Sequence, residues 1–190
     1  QLGVANEVFA PSEEEVALAR RMIAAYAEAR ARGEGVAAVD TYRDVQVDVG
    51  SQPAALVSRD WRLHAERGRY LMVNDDWASV LGRAAETGGV VVSEVLANRL
   101  GLERGGTVTI TTPAGPHTVP IEGVFYDYAT DGGKMVMDRT WYQRHWQDDR
   151  ATVFPIYLAA GADPEQVRQS IVTQVARQAG VTIPPSVIRN

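Results

Sequence analysis

The stretch VVVSEVLANRLGLERGGTVTITTPAG, residues 90–115, combines two strand patterns and one helix pattern in close succession. Three valines at 90–92 predict a short buried strand. Ser93 is a good N-cap for a helix that runs through Leu100 and stops at the following glycine. Residues 107–112 predict a further strand, which ends at a Pro-Ala-Gly-Pro turn. This order is mixed rather than strictly alternating, so it indicates an α+β fold.

The segments around this stretch predict more strands. TYRDVQVDVG (41–50) and QPAALVSRDW (52–61) are β-type and predict a hairpin across a Gly-Ser-Gln-Pro turn. A long strand is expected from His117 to Tyr128, and further strands are expected in KMVMD (134–138) and TVFPIYLAA (152–160). We therefore expect mixed β-sheets with flanking helices, an architecture that can comprise two lobes.

Amphipathic helices are predicted near both ends of the chain. Ser12 caps the first one and Gly33 follows its end, while Asp163 caps the last one, which begins at Pro164 and runs to about Gln178. The apolar faces consist of Val16, Ala19, Met22, Ile23, Tyr26 and Ala27 in the first helix, and Val167, Ile171, Val175 and Ala179 in the last. Shorter helices are expected at Asp76 to Ala85 and in RTWYQRHW (139–146).

Composition excludes several classes of protein. The 190 residues are 45% hydrophobic, enough for one ordinary domain or two small ones. The chain has no cysteine, which excludes disulfides, thiol nucleophiles and zinc-thiolate sites. A net charge of −5 without a basic run argues against nucleic-acid binding. No run of about 18 apolar residues and no signal-peptide pattern occurs, so we expect a soluble chain or a soluble part of a larger membrane protein.

Residues with catalytic or metal-binding chemistry form no recognisable constellation. His64, His117 and His145 lack partners at the spacing that places two ligands on one helix face, apart from the carboxylates at 148–149. Ser93 lacks the glycines of a nucleophile elbow and is better explained as a helix cap. The glycine pairs lack phosphate-binding spacing. The sequence therefore predicts no catalytic, cofactor-binding or metal-binding residue.

The stretch GVFYDYATDGGKMVMDR, residues 123–139, places aspartates beside glycines. A calcium loop would need another spacing and a closing Glu. Alternation puts Phe125 and Asp127 on one face of a strand and Tyr126 and Tyr128 on the other, so the carboxylates are scattered. We predict a hairpin or β-arch with Met135 and Met137 on one face, rather than an acidic site.

Charged and aromatic residues are dense between residues 43 and 70. The charges, at Arg43, Asp44, Arg59, Asp60, Arg62, Arg67 and Arg69, alternate in sign, which is typical of a solvated face. Arginine beside Trp61, Tyr70 and Trp77 is also typical of interaction surfaces. A pocket lined by these three aromatic residues would indicate a stand-alone ligand-binding module.

From about residue 39 to the end, the sequence resembles the extracytoplasmic, MacB-like periplasmic core domain of FtsX-like ABC transporter permeases. The resemblance rests on the ordered segments VDTYRDVQV, LVSRDW, the stretch quoted first, PIEGVFYDYATDGGKMVMDR, YLAAGADPEQVRQSI and a closing VIRN. Gly106 stands where the family commonly has Asp, at a turn position that tolerates the change. Tyr42–Val49, Trp61 and Phe125–Tyr128 are the residues we expect to organise this domain.

This resemblance implies a non-catalytic role without cofactors. In such permeases a cytoplasmic ATPase drives the membrane segments, and the domain on the periplasmic or outer side of the cell membrane couples that motion to substrate export or to control of a partner. The implied partners are the membrane segments, the ATPase subunit, and a second permease copy or a periplasmic protein. The resemblance also implies that both ends of the chain lie on the same side of the domain.

The beginning of the chain resembles a different family. Residues 4–36 are similar to the C-terminal region of citrate lyase β-subunit and malyl-CoA lyase proteins, whose acyl-CoA and magnesium residues lie upstream of this region. No lyase residue can therefore be assigned here. We divide the chain into an N-terminal helical segment, 1–38, and an extracytoplasmic permease domain, 39–190, with a junction that has the character of a fusion. The alternative, a carbon–carbon lyase, predicts a parallel barrel with an acidic magnesium site.

Overall fold

The computed structural model of the protein describes residues 13–128 and 132–179. These residues form helices and mixed sheets, which confirms the predicted α+β class. They divide into two compact units, one comprising residues 13–39 with 157–179 and the other residues 40–156. The predicted division between residues 38 and 39 marks where the permease-like sequence begins. A division of the structure into compact units does not test that boundary, so it stays a prediction.

The first unit consists of two helices and a two-stranded sheet. Its elements are α1 (Glu13–Ala31), β1 (Val36–Val39), β8 (Ile156–Leu158) and α6 (Pro164–Ala179). The strands are antiparallel, because Ala159 N donates to Gly35 O at 2.8 Å before β1 and Asp40 N donates to Pro155 O at 2.9 Å after it. The long strand predicted at 152–160 is thus shortened to β8.

Helices α1 and α6 pack against each other in antiparallel orientation. Arg32 donates to Gln174, late in α6, at 2.6 Å, whereas Glu34 accepts from Ser170, one turn earlier, at 2.8 Å. The start of α1 and the end of α6 therefore lie at the same end of the pair. The chain ends themselves lie outside the described residues, so the expected placement of the ends on one side of the domain stays a prediction.

The predicted apolar faces of these helices agree with the structure in part. Tyr26, Val167 and Ile171 are buried as expected. Ala27 is exposed, so its placement on the buried face is wrong; the alanines two positions before and after it are buried instead. Position 27 is turned about 100° from position 26 around the helix axis, which carries it off the face. The Ser12 cap and the side chains of Val16, Ala19, Met22, Ile23, Val175 and Ala179 lie outside the described part.

The second unit is built on a closed six-stranded barrel with strand order β2-β3-β7-β4-β6-β5. The strands are β2 (Arg43–Val49), β3 (Gln52–Arg59), β4 (Val90–Ser93), β5 (Thr107–Thr112), β6 (Gly115–Phe125) and β7 (Lys134–Asp138). The predicted β2–β3 hairpin is confirmed, with Val49 opposite Gln52. Its two-residue turn requires a glycine at position 50, where φ is +61°.

Residues 123–139 contain the end of β6 and the predicted strand β7, but the two strands do not pair with each other, so the predicted hairpin is wrong. Strand β4 lies between β6 and β7, parallel to β6 and antiparallel to β7. The three valines of β4 are 0% exposed, so β4 takes a central position and keeps β6 and β7 from pairing. In addition, β6 ends at Phe125, three residues before the predicted end at Tyr128.

Side chains inside the barrel form one hydrophobic cluster, which a helix closes at each end. Helix α4 (Glu94–Leu100) follows β4 and places Leu96 in the cluster, while α5 (Arg139–Trp146) follows β7 and contributes Tyr142. Because β4 and β7 are antiparallel, these two helices lie at opposite ends. The buried strand residues of the cluster are Val47, Ala54, Leu56, Val90, Val92, Val108, Ile110, Val119, Ile121, Met135 and Met137. Met135 and Met137 share a face, as predicted.

A second hydrophobic cluster lies outside the barrel, under helices α2 (Trp61–Arg67) and α3 (Trp77–Thr87). The outward side chains of Val57, Val91 and Val136 contribute to it. Helix α3 was predicted, whereas α2 was missed. The barrel therefore buries both faces of β4 and β7.

The pairing of β6 with β4 shifts by one residue at Glu122, between the pairs Val90–Ile121 and Val91–Gly123. This bulge directs Val124 toward the interior cluster and Phe125 toward the outer one. Gly123 then faces the outer cluster at close range, because a Cβ there would lie 2.7 Å from Met72 Cε. Gly123 is thus required for close packing rather than for a turn.

Candidate functional site

The chain enters and leaves the barrel unit through two segments that lie side by side. Tyr42 and Val153 form an antiparallel bridge, and Tyr42 N donates to Val153 O at 2.9 Å. We call residues 40–43 and 148–155 the strand junction. Both connections between the barrel unit and the rest of the chain run through this junction.

Arg59, at the end of β3, holds the entering segment. Its guanidinium donates to Asp40 Oδ2 at 2.8 and 3.1 Å, and the Asp40 side chain is 0% exposed. The second oxygen, Oδ1, accepts from Asp60 N at 3.3 Å, and the guanidinium also lies 5.7 Å from the centre of the Tyr42 ring. Breaking the contact with Arg59 would leave a buried carboxylate unpaired, which costs free energy, so Asp40 fixes the entry segment to β3.

Asp148 holds the leaving segment through three partners. It accepts from Arg43 Nε at 3.0 Å, from Arg150 Nε at 2.6 Å and from the Tyr142 hydroxyl at 2.8 Å. Burial by itself raises the pKa of Asp148, but these hydrogen bonds outweigh it and hold the pKa well below the usual range. The carboxylate is therefore charged at neutral pH and joins β2, α5 and the leaving segment.

Arg139, the first residue of α5, fixes the backbone of the leaving segment. It donates to Asp149 O at 2.8 Å and Arg150 O at 2.5 Å, and to the Ser58 hydroxyl on β3 at 3.0 Å. Burial lowers the pKa of Arg139. The interpretation of the charges at 43–69 as a solvated face is thus wrong for Arg43 and Arg59, which are largely buried in ion pairs.

Chemically, the strand junction is suited to holding and not to reacting. Asp40 and Asp148 are held in ion pairs with arginines, and burial raises the pKa of Tyr42 and of the neighbouring Tyr142 to about 12. Sequence reasoning missed the junction, because its partners are far apart along the chain.

The residues expected to organise the domain occupy different environments. Trp61 and Phe125 are buried in the outer cluster, as a structural role requires. Asp127 forms an ion pair with Lys134 at 3.2 Å. Tyr128, however, is 88% exposed, so it contributes little to the scaffold.

The three aromatic residues proposed to line a ligand pocket lie in the outer cluster instead. Trp61 and Trp77 are buried, and Tyr70 packs 5.1 Å from Trp77 and 4.4 Å from Phe125 between ring centres. His64 fills the space between them, 5.0 Å from Tyr70. This packing favours a core over a ligand cleft.

The structure also brings together His117 and His145, which the sequence separates. Their ring centres lie 3.9 Å apart. Among the described residues no group of three His, Cys, Asp or Glu side chains is placed to hold a metal ion. Nor does the described part contain a helix both long and apolar enough to cross a membrane.

Comparison with solved structures identifies the fold. The periplasmic region of MacB from Actinobacillus actinomycetemcomitans superposes with a TM-score of 0.58 at 11% identity, over 84% of this chain and 75% of that one. The extracellular domain of the ABC-type transporter YknZ from Gram-positive bacteria gives 0.58 at 12% identity, over 90% and 91%. The chain has the MacB-type extracytoplasmic fold. This confirms the fold that the sequence resemblance implied.

Sequence comparison agrees with the MacB-type fold for part of the chain. No protein-family model matches. An uncharacterized ABC transporter permease protein of Mycobacterium tuberculosis is 42% identical over 76 residues, which is 40% of this chain and 9% of that protein. The (3S)-malyl-CoA thioesterase of Cereibacter sphaeroides is 60% identical over 40 residues, 21% of this chain and 14% of the enzyme. The chain thus spans under a tenth of the permease, and the lyase-like similarity rests on a short partial match.

Proposed function

We propose that this chain is the extracytoplasmic domain of an ABC transporter permease. The proposal rests on the MacB-type fold together with 42% identity to a permease segment. The domain is non-catalytic and faces the periplasm or the cell exterior in the full-length protein. The permease-like part begins near residue 39, after an N-terminal helical segment, 1–38.

In this role the domain couples motion of membrane segments to substrate export or to control of a partner protein. A cytoplasmic ATPase subunit supplies the energy, and a second permease copy or an extracytoplasmic protein receives the motion. The strand junction supports such a role, because the segments at 40–43 and 152–155 are paired with each other and are fixed to the barrel by Arg59 and Asp148.

The test uses the full-length permease, purified with its ATPase and reconstituted in nanodiscs. Hydrogen exchange at 40–43 and 152–155 is expected to differ between the nucleotide-free and vanadate-trapped states. Asp148→Asn should reduce this difference while ATP hydrolysis persists, because it loosens the leaving segment. Asp44→Asn, an exposed carboxylate on the same barrel, is the matched control and should leave the difference unchanged.

Two outcomes would overturn the proposal. One is a full-length protein without a membrane span on each side of this domain or without an associated ATPase. The other is magnesium-dependent cleavage of an acyl-CoA by the purified chain, which would restore the carbon–carbon lyase alternative.

A further inference from the structure

Two large hydrophobic side chains project into solvent near the end of β6. Leu71 is 65% exposed and Tyr128 is 88% exposed. The segment that contains Leu71 runs antiparallel to the end of β6, with Met72 bridged to Phe125 and with Tyr126 N donating to Leu71 O at 2.8 Å. Leu71 and Tyr126 are therefore neighbours on two paired segments. Because β6 is parallel to β4, they lie at the end of the barrel that α4 closes.

The two paired segments direct one set of side chains inward and the other into solvent. Met72 and Phe125 point inward and are buried in the outer cluster. Since side chains alternate along an extended segment, Leu71 and Tyr126 point outward. The ring of Tyr128 is nearly parallel to that of Tyr126, with 6.2 Å between ring centres and 5° between planes. Leu71, Tyr126 and Tyr128 thus form one hydrophobic group, which we call the exposed strip.

The packing of the domain does not explain the exposed strip. The sequence predicts that Tyr128 helps to organise the domain, yet almost all of its side chain is in solvent. A single exposed hydrophobic residue is common, whereas several in one group are typical of a surface that binds another molecule. Tyrosine combines a large ring with a polar hydroxyl, and it is one of the residue types that contribute most of the binding energy at protein interfaces.

The part of the chain that leads into the exposed strip is positively charged, although the whole protein has a net charge of −5. Residues 61–73 expose three arginines and one glutamate, which are Arg62, Arg67, Arg69 and Glu66. Among the described residues, Arg62 and Arg69 form no hydrogen bond or ion pair. Asp76 lies near Arg69, but its carboxylate already accepts hydrogen bonds from Ser79 at the start of α3. The guanidinium of Arg69 is therefore available to a binding partner.

We propose that the exposed strip, together with Arg69, is a docking surface for an acidic segment of another protein. Apolar side chains of that segment would cover Leu71 and the two tyrosine rings, while its carboxylates would pair with Arg69. Charge complementarity selects this partner. A second copy of the chain would place arginines against arginines, and the net charge of −5 opposes the approach to an anionic membrane.

In the proposed function, this docking surface would receive the extracytoplasmic partner protein, whose location is taken from that function. The exposed strip and Arg69 lie within the unit of residues 40–156, so binding can be measured without membrane segments or an ATPase. A chain that binds no acidic peptide would leave the proposed function untouched, since that function is tested on the full-length permease.

The experiment measures binding of a rhodamine-labelled synthetic peptide to the whole chain by fluorescence anisotropy at pH 7.5. The peptide consists of leucine and glutamate, and a second peptide has lysine in place of every glutamate. We expect the glutamate peptide to bind on the order of tenfold more tightly than the lysine peptide, although the net charge of −5 by itself favours lysine. Raising the NaCl concentration from about 0.05 to about 0.5 M should weaken this binding, because salt screens exposed charges.

Four variants show whether the peptide binds at the exposed strip. Tyr128→Ser and Arg69→Glu should each weaken binding on the order of tenfold, because they remove a ring and a cation from the surface. Tyr128→Phe keeps the ring and should bind within about twofold of the wild type. Arg144→Glu, on α5 at the opposite end of the barrel, changes the net charge as Arg69→Glu does and should also bind within about twofold. All three side chains are exposed, so unchanged urea midpoints verify that the variants are folded.

The proposal is overturned if the wild type binds neither peptide or binds both equally, or if Tyr128→Ser and Arg69→Glu bind as tightly as the wild type. Two further measurements detect other occupants. A dimer in sedimentation equilibrium that Tyr128→Ser dissociates would assign the exposed strip to a second copy of the chain. Co-sedimentation with vesicles of POPC and POPG that Tyr128→Ser abolishes would assign it to a membrane surface. Either of these results overturns the proposal of an acidic protein partner.

Discussion

His64 makes the stability of the barrel unit depend on pH. Its side chain is 3% exposed, packs against Tyr70 and Trp77, and has no hydrogen-bond partner on either ring nitrogen among the described residues. Burial, with Arg59 nearby, lowers its pKa from 6.5 to about 4. In the unfolded chain the ring regains its ordinary pKa.

The sign of the effect follows from which state binds the proton first. Above about pH 6.5 His64 is neutral in both the folded and the unfolded state, so its ionisation does not change the free energy of unfolding. As the pH falls from about 6.5 to about 4, the unfolded chain is protonated while the folded one is not, so the free energy of unfolding decreases. The full difference corresponds to about 3 kcal/mol, and about 2 kcal/mol is lost by pH 5.

The assay is urea unfolding followed by tryptophan fluorescence at pH 7.5, 6 and 5. His64→Phe is the informative variant, because Phe fills a similar volume and cannot be protonated. Its free energy of unfolding should stay nearly constant over this range, while that of the wild type falls. A His117→Asn/His145→Asn double variant is the control and should keep most of the wild-type decrease.

Equal decreases in wild type and His64→Phe would refute the reasoning, because the proton would then be taken up elsewhere. A wild-type protein whose stability does not change down to pH 5 would refute it as well. Asp148 does not contribute to this decrease between pH 7.5 and 5. Its pKa is lowered in the folded state, so its stabilising contribution is lost only when the pH falls below the usual carboxyl range.

Other substitutions test individual contacts, each by urea unfolding at pH 7.5. Asp148→Asn should lower the free energy of unfolding by about 3 kcal/mol, because it removes the buried charge with which the partly buried Arg43 and Arg150 pair. Gly123→Ala should cost about 1–3 kcal/mol, since the new Cβ would meet Met72 at 2.7 Å, whereas Gly82→Ala, with open space and a helical backbone, should stabilise by about 0.5–1 kcal/mol. Phe125→Ala should cost about 3–5 kcal/mol, and Tyr128→Ala, three residues on, less than about 0.5 kcal/mol.

Elements with strong local signals were predictable from the sequence. The bounds of β5 and α5 match the predicted ones, because alternation defines the strand and Asp138 caps the helix. The β2–β3 hairpin was predictable for the same reason, since its turn is encoded by adjacent residues. Helix α2 was missed, because its seven residues give too few turns for a 3.6-residue period to be recognised.

Features that depend on distant segments were not predictable. Nothing near residues 123–139 indicates that β4 separates β6 from β7, because the parallel pairing of β4 with β6 joins segments that no tight turn connects. The one-residue shift at Glu122 likewise depends on the partner strand and decides which way Phe125 points. The ion pairs of Arg43 and Arg59 connect residues 105 and 19 positions apart, respectively, so the local pattern suggested a solvated face.

The insertion of β4 between β6 and β7 also determines when the barrel can form during synthesis. Strand β3 pairs with β2 on one side and with β7 on the other, where Arg59 lies opposite Asp138. The β2–β3 hairpin therefore lacks its second pairing partner until β7 has been synthesised, much later in the chain. Until then the apolar side chains of β3 and β4 cannot be buried in the barrel interior. The unit is therefore expected to complete its folding late and slowly, and to depend on protection from aggregation until β7 has been synthesised.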